Sequence, residues 1–242
     1  MLTGAFKFNV LILSLILATL GYLTYLVFEG RTDRDGKVTY FLKNTEIIQL
    51  RRLVDLPDTA IPFYGDSLVH GLAVSRANFS LENFGIGHDH SSNLLHRVRE
   101  GVNHTRLSEY AVAIGINDIS NGVAVGKLYH NIVAIVESLA FSDAIYLHTV
   151  LPVANTRASA SVINEKVRKI NDLLSGLSVR HKNVVIVNTY KALAPTGFLP
   201  ENLHIGDGLH LNSSANRKWI GLLSDVLSDR QRKGWVDGNR KN

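Results

Sequence analysis

Between residues 59 and 232, short apolar runs alternate with longer stretches in which apolar residues recur every three or four positions. The runs Ala60–Tyr64, Leu81–Phe84, Tyr110–Ile114, Ala144–Val150 and Asn183–Val187 have the length and unbroken apolarity of strands buried on both faces. The stretches near Ser91–Val102, Val123–Ala140, Ser159–Leu177 and Ser213–Arg232 carry helical spacing. This order predicts a three-layer α/β/α sandwich around a mainly parallel five-stranded sheet. Upstream, Val38–Lys43 reads as a short strand. Thr45–Leu56 reads as a helix with Ile47, Ile48, Leu50, Leu53 and Val54 on one side, ended by Pro57.

The pattern changes at the amino terminus. Phe8–Phe28 contains no charged residue, and as a helix it is long enough to cross a hydrocarbon core of roughly 30 Å. It is expected to be an uncleaved anchor; the alternative is a signal segment removed after export. The expected organisation is a tail at 1–7, a membrane segment at 8–28, a linker with its helix at 29–58, the globular domain at 59–232 and a basic tail at 233–242. Lys7 precedes the span while Arg31, Arg34, Lys37 and Lys43 follow it, so charge counting alone keeps the domain inside. Large domains translocate regardless of such flanks, and an extracytoplasmic domain is the expectation retained.

Composition narrows the chemistry. The 242 residues suffice for one core, and with no cysteine the chain has no disulfide, thiolate metal site or thiol nucleophile. Lys and Arg number 26 against 21 acids, but they are scattered through Arg157–Lys182 and Arg230–Lys241 without interleaved aromatics, so no nucleic-acid partner is expected. The Asp33–Gly36 run lacks the glycine and closing glutamate of a calcium loop. Gly85-Ile86-Gly87 opens a dinucleotide fingerprint, but His90 stands where its third glycine belongs. Gly122–Lys127 is one residue short of a P-loop, and Leu128 follows where a magnesium-binding hydroxyl is needed.

What remains is a set of polar segments at strand ends or in late loops. Ser67, in Gly65-Asp66-Ser67-Leu68, falls where the first strand hands over to a helix, at the ligand-binding edge of an α/β sheet. Asn83-Phe84-Gly85 ends the second strand, and its glycine allows a backbone N–H to approach a ligand closely. Gly115-Ile116-Asn117-Asp118 follows the third and offers a side-chain amide. Asp207-Gly208-Leu209-His210 sets a carboxylate three residues from an imidazole, just before the last helix. Each has an ordinary structural reading beside the chemical one. Ser67 and Asp66 are good helix caps, Asp66 being read as structural only, and Gly85 and Asn117 suit turns.

Taken together and in this order, the four segments resemble the blocks of the SGNH hydrolases, the GDSL esterase/lipase family. The resemblance implies a flavodoxin-like SGNH hydrolase fold and a serine esterase needing no metal or organic cofactor. It also implies roles: Ser67 as nucleophile, His210 as general base and Asp207 as its orienting partner. The implied oxyanion hole comprises the Ser67 and Gly85 backbone N–H groups and the Asn117 side chain. The chemistry agrees, because a hydroxyl needs an adjacent base, and imidazole, with an ordinary pKa near ~6.5, can take its proton and return it. One departure stands out, since relatives often carry a second glycine where this chain has His88. His70 and His88 are candidates for the substrate pocket. His88, Asp89 and His90 could ligate a metal, although a loop of satisfied polar residues is favoured. The expected substrate is an acyl ester, such as an O-acetyl group on a glycan. Alternatives are a lysophospholipid or thioester, transfer of the acyl group to another hydroxyl, or a non-catalytic binding module.

Overall fold

The computed structural model describes residues 19–20, 22–23 and 43–239. Five strands, β1 (Ile61–Gly65), β2 (Leu81–Gly85), β3 (Glu109–Ala113), β4 (Ala144–His148) and β5 (Val184–Val187), form one parallel sheet in the order β2-β1-β3-β4-β5. This is the flavodoxin-type order, in which ligands bind beyond the carboxyl ends of β1 and β3, where the order reverses. Register sharpens the point. Gly65 pairs with both Gly85 and Ala113, so the three strands end level and the segments after them emerge side by side.

The chain divides into two compact units, Met1–Ile48 and Gln49–Asn242, and the sheet with every candidate site residue belongs to the second. That unit reaches back past residue 59 because Leu53 is buried in its core and the Gln49 side chain donates to the Gly85 carbonyl at 3.2 Å. In the first unit, residues 19–20, 22–23 and 43–48 are helical. The expected membrane segment 8–28 lies, apart from four positions, outside the described residues. Among those described, no helix is long and apolar enough to cross a membrane. Of the expected strand at 38–43 only Lys43 is described, and it is helical. The helix foreseen at Thr45–Leu56 occupies 43–54.

The sheet carries helices α3 (Ser91–His104), α5 (Val125–Ser138), α6 (Ala160–Ser175) and α9 (Ser213–Asn239). The last continues into the stretch expected to be a tail. All five residues of β1 and of β4 are buried, as strands covered on both faces must be. At the end of β4 this burial takes in a polar group, His148, with the Phe63 ring stacked on it at 4.8 Å and the Trp219 indole N–H donating to its Nδ1 at 2.8 Å. Burial pushes this imidazole down to about 3, so it is a neutral core residue.

The turn from β1 into α2 (Ser67–His70) has a specific construction. Asp66, only 2% exposed, caps α2 by accepting from the Leu68 N–H at 2.9 Å. The helix lasts one turn because Asn83 closes it. Its Nδ2 donates to the Val69, Leu72 and His70 carbonyls at 2.7, 3.1 and 3.3 Å. Gly85 lies so close beneath that a Cβ there would stand 2.2 Å from the His70 nitrogen.

Burial raises the Asp66 carboxyl to about 7. The Leu68 N–H opposes the shift, and the charges of Asp89 and Asp118 add to it. The native state therefore holds this proton more tightly than the unfolded chain. The resulting stabilisation is full below about pH 4, the unfolded pKa, and is lost as pH rises through about 7. Asp66→Asn keeps an acceptor for Leu68 and removes the buried charge. The variant should match wild type near pH 4 and be more stable by a few kcal/mol at pH 8, read from urea midpoints. Equal midpoints at pH 8 would contradict this account.

Candidate active site

Strand β1 ends at Gly65, and the capped turn after it delivers the Ser67 hydroxyl to the rim of the sheet. There the Ser67 Oγ lies 3.0 Å from the His210 Nε2, a residue 143 positions later. The other ring nitrogen, Nδ1, lies 2.5 Å from the Asp207 Oδ2. The remaining carboxylate oxygen accepts the Leu209 and His210 backbone N–H groups at 3.0 and 2.9 Å. Partial burial raises the Asp207 carboxyl, but the bond to His210 and these two N–H groups outweigh it, and it is held down at about 2. An ionised Asp207 keeps the proton on Nδ1 and leaves the Nε2 lone pair facing the Ser67 O–H. The Asp207 and His210 side chains are 37% and 40% exposed, so this side of the site is open.

The loop bearing Asp207 and His210 turns on two residues in the left-handed region, Gly206 (φ 104°) and Gly208 (φ 72°). Gly208 has a second reason to lack a side chain, since a Cβ would stand 2.7 Å from the Arg157 Cγ. Arg157 in turn donates from Nη1 to the Asp207 carbonyl at 2.9 Å, and the Ala154 N–H donates to the Gly208 carbonyl at 2.8 Å.

Of the three expected oxyanion donors, the geometry offers two. The Ser67 N–H has no hydrogen-bond partner among the described residues. Asn117 uses one amide hydrogen on the Asp89 carbonyl at 3.0 Å, and the other has no partner among the described residues. Gly85 departs from expectation. Its N–H donates to the Asn83 Oδ1 at 2.9 Å, so the glycine serves close packing under α2 and not a ligand. Three residues past the strand pairing that fixes Gly85, the chain has turned outward. His88 is exposed at φ 62°, and its N–H is also unpartnered among the described residues. His70 is exposed as well and lies beside Gly87, with no hydrogen bond from its ring to the triad.

Beneath these loops lies a polar framework that sequence reasoning missed. Asp89 is buried and forms an ion pair with the buried Arg97 of α3. The same guanidinium donates to Gln49 Oε1 (2.8 Å), the Phe84 carbonyl (3.2 Å) and the Gly65 carbonyl (3.4 Å). Burial raises the Asp89 carboxyl even against the charge of Arg97. This disposes of the metal alternative, because Asp89 faces Arg97 while His90 Nε2 meets Asn121 Nδ2 at 2.8 Å. Among the described residues no cluster of three His, Asp or Glu could hold an ion. Nearby, Asp118 accepts from the Ser91 N–H (2.9 Å) and hydroxyl (2.6 Å), tying the start of α3 to α4 (Ile116–Ser120), which carries Asn117. The signal for Arg97 was present in the sequence: it shares one helical stripe with Leu94, Val98 and Gly101, a place for an apolar residue.

Comparison with known proteins gives the family and the fold. The sequence model of the GDSL-like Lipase/Acylhydrolase family matches residues 63–218. No curated protein sequence matches the chain. A GDSL-like lipase from Bacteroides thetaiotaomicron superposes with a TM-score of 0.66 at 18% identity, over 76% of this chain and 98% of that one. A member of the lipolytic G-D-S-L family from Veillonella parvula gives 0.60 at 16% identity, over 70% and 98%. A carbohydrate esterase family 3 protein from Talaromyces cellulolyticus gives 0.55 at 13% identity, over 72% and 99%. At these identities the structures speak to the fold, whereas the family match runs through all four polar segments and most of the chain. The chain therefore belongs to the GDSL-like lipase/acylhydrolase family and is an ester-hydrolysing enzyme.

Proposed function

We propose that the enzyme is a serine esterase acting through an acyl-enzyme on Ser67. The observation that carries this reading is the continuous chain from Ser67 Oγ through His210 to Asp207. In the first half-reaction the Ser67 oxygen bonds to the ester carbonyl carbon and its proton passes to the His210 Nε2. The tetrahedral oxyanion collapses, the C–O bond to the alcohol breaks, and His210 returns the proton to the departing alkoxide. Water then repeats the sequence and releases the acid and the free serine. Asp207 holds the imidazole tautomer throughout.

For the oxyanion we assign the Ser67 N–H, the free Asn117 amide hydrogen and, in place of Gly85, the backbone N–H of His88. The support for His88 is its left-handed backbone and unpartnered N–H, in a loop whose next carbonyl, that of Asp89, is grasped by Asn117. We further propose that the acyl group is short and the alcohol a glycan or other small hydroxyl compound. The open flank at His210 and the fold shared with a carbohydrate esterase favour this. A lipid ester is the second reading, favoured by Ile205, 67% exposed two residues before Asp207. In either case the uncharged stretch 8–28 is proposed as a membrane tether, supported by its length and composition.

Full-length protein assayed on p-nitrophenyl acetate, butyrate and octanoate should cleave the acetate fastest, and Ser67→Ala should abolish both turnover and fluorophosphonate labelling. Preference for octanoate would favour the lipid reading, and an active Ser67→Ala enzyme would overturn the mechanism. Asn117→Ala should lower kcat about 10²–10³-fold with little change in KM, the usual cost of deleting an oxyanion donor. An unchanged kcat would remove Asn117 from the assignment. His88→Gly preserves both the N–H and the left-handed backbone, so turnover should stay near wild type. A large loss would show that the imidazole itself is used.

A further inference from the structure

We propose that His204 is a positioning residue for the Asp207–His210 pair, acting as an unprotonated hydrogen-bond acceptor at the centre of their loop. The proposal rests on the esterase reading above. The loop is closed at its base by a bridge between His204 and Leu211 and by the Ile205 N–H donating to the His210 carbonyl at 2.9 Å. Inside it, the His204 Nδ1 receives two backbone N–H groups, from Gly206 at 3.0 Å and Gly208 at 3.1 Å. These are the residues on either side of Asp207. Their positive φ angles, 104° and 72°, allow both amides to turn toward one point. Converging amides of this kind form the concave donor pair that elsewhere receives an anion. Here a side chain of the loop itself fills it.

The tautomer follows from the geometry. A backbone N–H can only donate, so Nδ1 must present its lone pair and the ring proton must be on Nε2. That nitrogen is buried and has no partner within the described chain. The Nδ1 bonds are thus the ring's only hydrogen bonds among the described residues, and they hold the two residues flanking Asp207 while Arg157 holds the Asp207 carbonyl at 2.9 Å. Asp207 in turn aims the imidazole that faces Ser67. Removing the acceptor leaves two amides converging on nothing, and the loop must rearrange to satisfy them with water. His204 has no bond to Ser67 or to the oxyanion donors, so the damage should fall on the reaction step and not on substrate binding.

The test uses the full-length chain and two substitutions. His204→Asn places an oxygen acceptor about where the imidazole carries Nδ1, whereas His204→Phe fills the space without an acceptor. His204→Phe should lower kcat for p-nitrophenyl acetate by about 10- to 100-fold, the scale produced by a misplacement of about 1 Å, with KM unmoved. It should slow fluorophosphonate labelling of Ser67 in parallel, and His204→Asn should regain most of both. A His204→Phe enzyme with wild-type kcat, or a His204→Asn enzyme as slow as His204→Phe, overturns the proposal. If His204→Phe does not fold, long-range ¹H–¹⁵N spectra of ¹⁵N-histidine-labelled wild type decide. The Nε2–H tautomer at His204 supports the proposal, and the Nδ1–H tautomer ends it. Wild-type protein that neither turns over nor labels would instead bring down the esterase reading itself.

Discussion

Three loops of the site hang on one buried cation. The Arg97 guanidinium bonds the last carbonyl of β1, at Gly65, and the Phe84 carbonyl one residue before the end of β2, and it pairs with Asp89 in the loop beyond β2. The backbone of Asp89 then receives the Asn117 amide from the segment after β3. Through these bonds the turn that carries Ser67, the loop that exposes the His88 N–H and the donor arm of Asn117 share one rigid support. A buried pair like this is a constraint more than a source of stability. Its attraction is largely offset by desolvation, yet removing one partner leaves an uncompensated charge at a cost of about 3–5 kcal/mol. The raised Asp89 carboxyl is the direct sign of that balance, burial outweighing even an adjacent guanidinium.

The fold was legible because its signals are local. Unbroken apolar runs such as Ala144–Val150 belong to strands covered on both faces, and the helical spacing between them left parallel crossovers as the simplest connection. The four polar segments were legible for the same reason, since each is a run of only three or four residues. Bonds between distant positions were not. Gly85 lost its expected role to Asn83, two residues before it, whose carboxamide also closes α2. A side chain that satisfies its own strand and a helix at once cannot be told from a turn-former by type alone. Likewise, Asp89 between two histidines looked like a polar surface loop until its partner proved to be Arg97, inside the apolar stripe of α3.

His148 and Asp66 show a further limit, because their behaviour is set by burial and not by neighbours in sequence. An imidazole at a strand end suggests a site residue. Here Phe63 and Trp219 enclose it and desolvation keeps it neutral. Asp66 adjoins the proposed nucleophile, yet its carboxyl is spent on capping α2 and has no bond to His210.

The two sides of the site are unlike, and the difference bears on substrate choice. On the Ser67–Asn117 side, donors are fixed by buried groups, and a cavity no larger than a water molecule, lined by Asp66, Leu68, Ile114, Ile116, Thr149 and Trp219, adjoins the ends of β3 and β4. On the Asp207–His210 side, a glycine-hinged loop stands partly in solvent, steadied by single bonds from Arg157 and Ala154 and by the ring of His204. In the proposed mechanism the developing charge falls on the rigid side, where donors that need no reorganisation stabilise it most. The departing alcohol must take its proton from His210, on the open side. On the proposed reading this unroofed exit lets the hydroxyls of the departing alcohol keep their water, whereas burying them would leave them without water or partners.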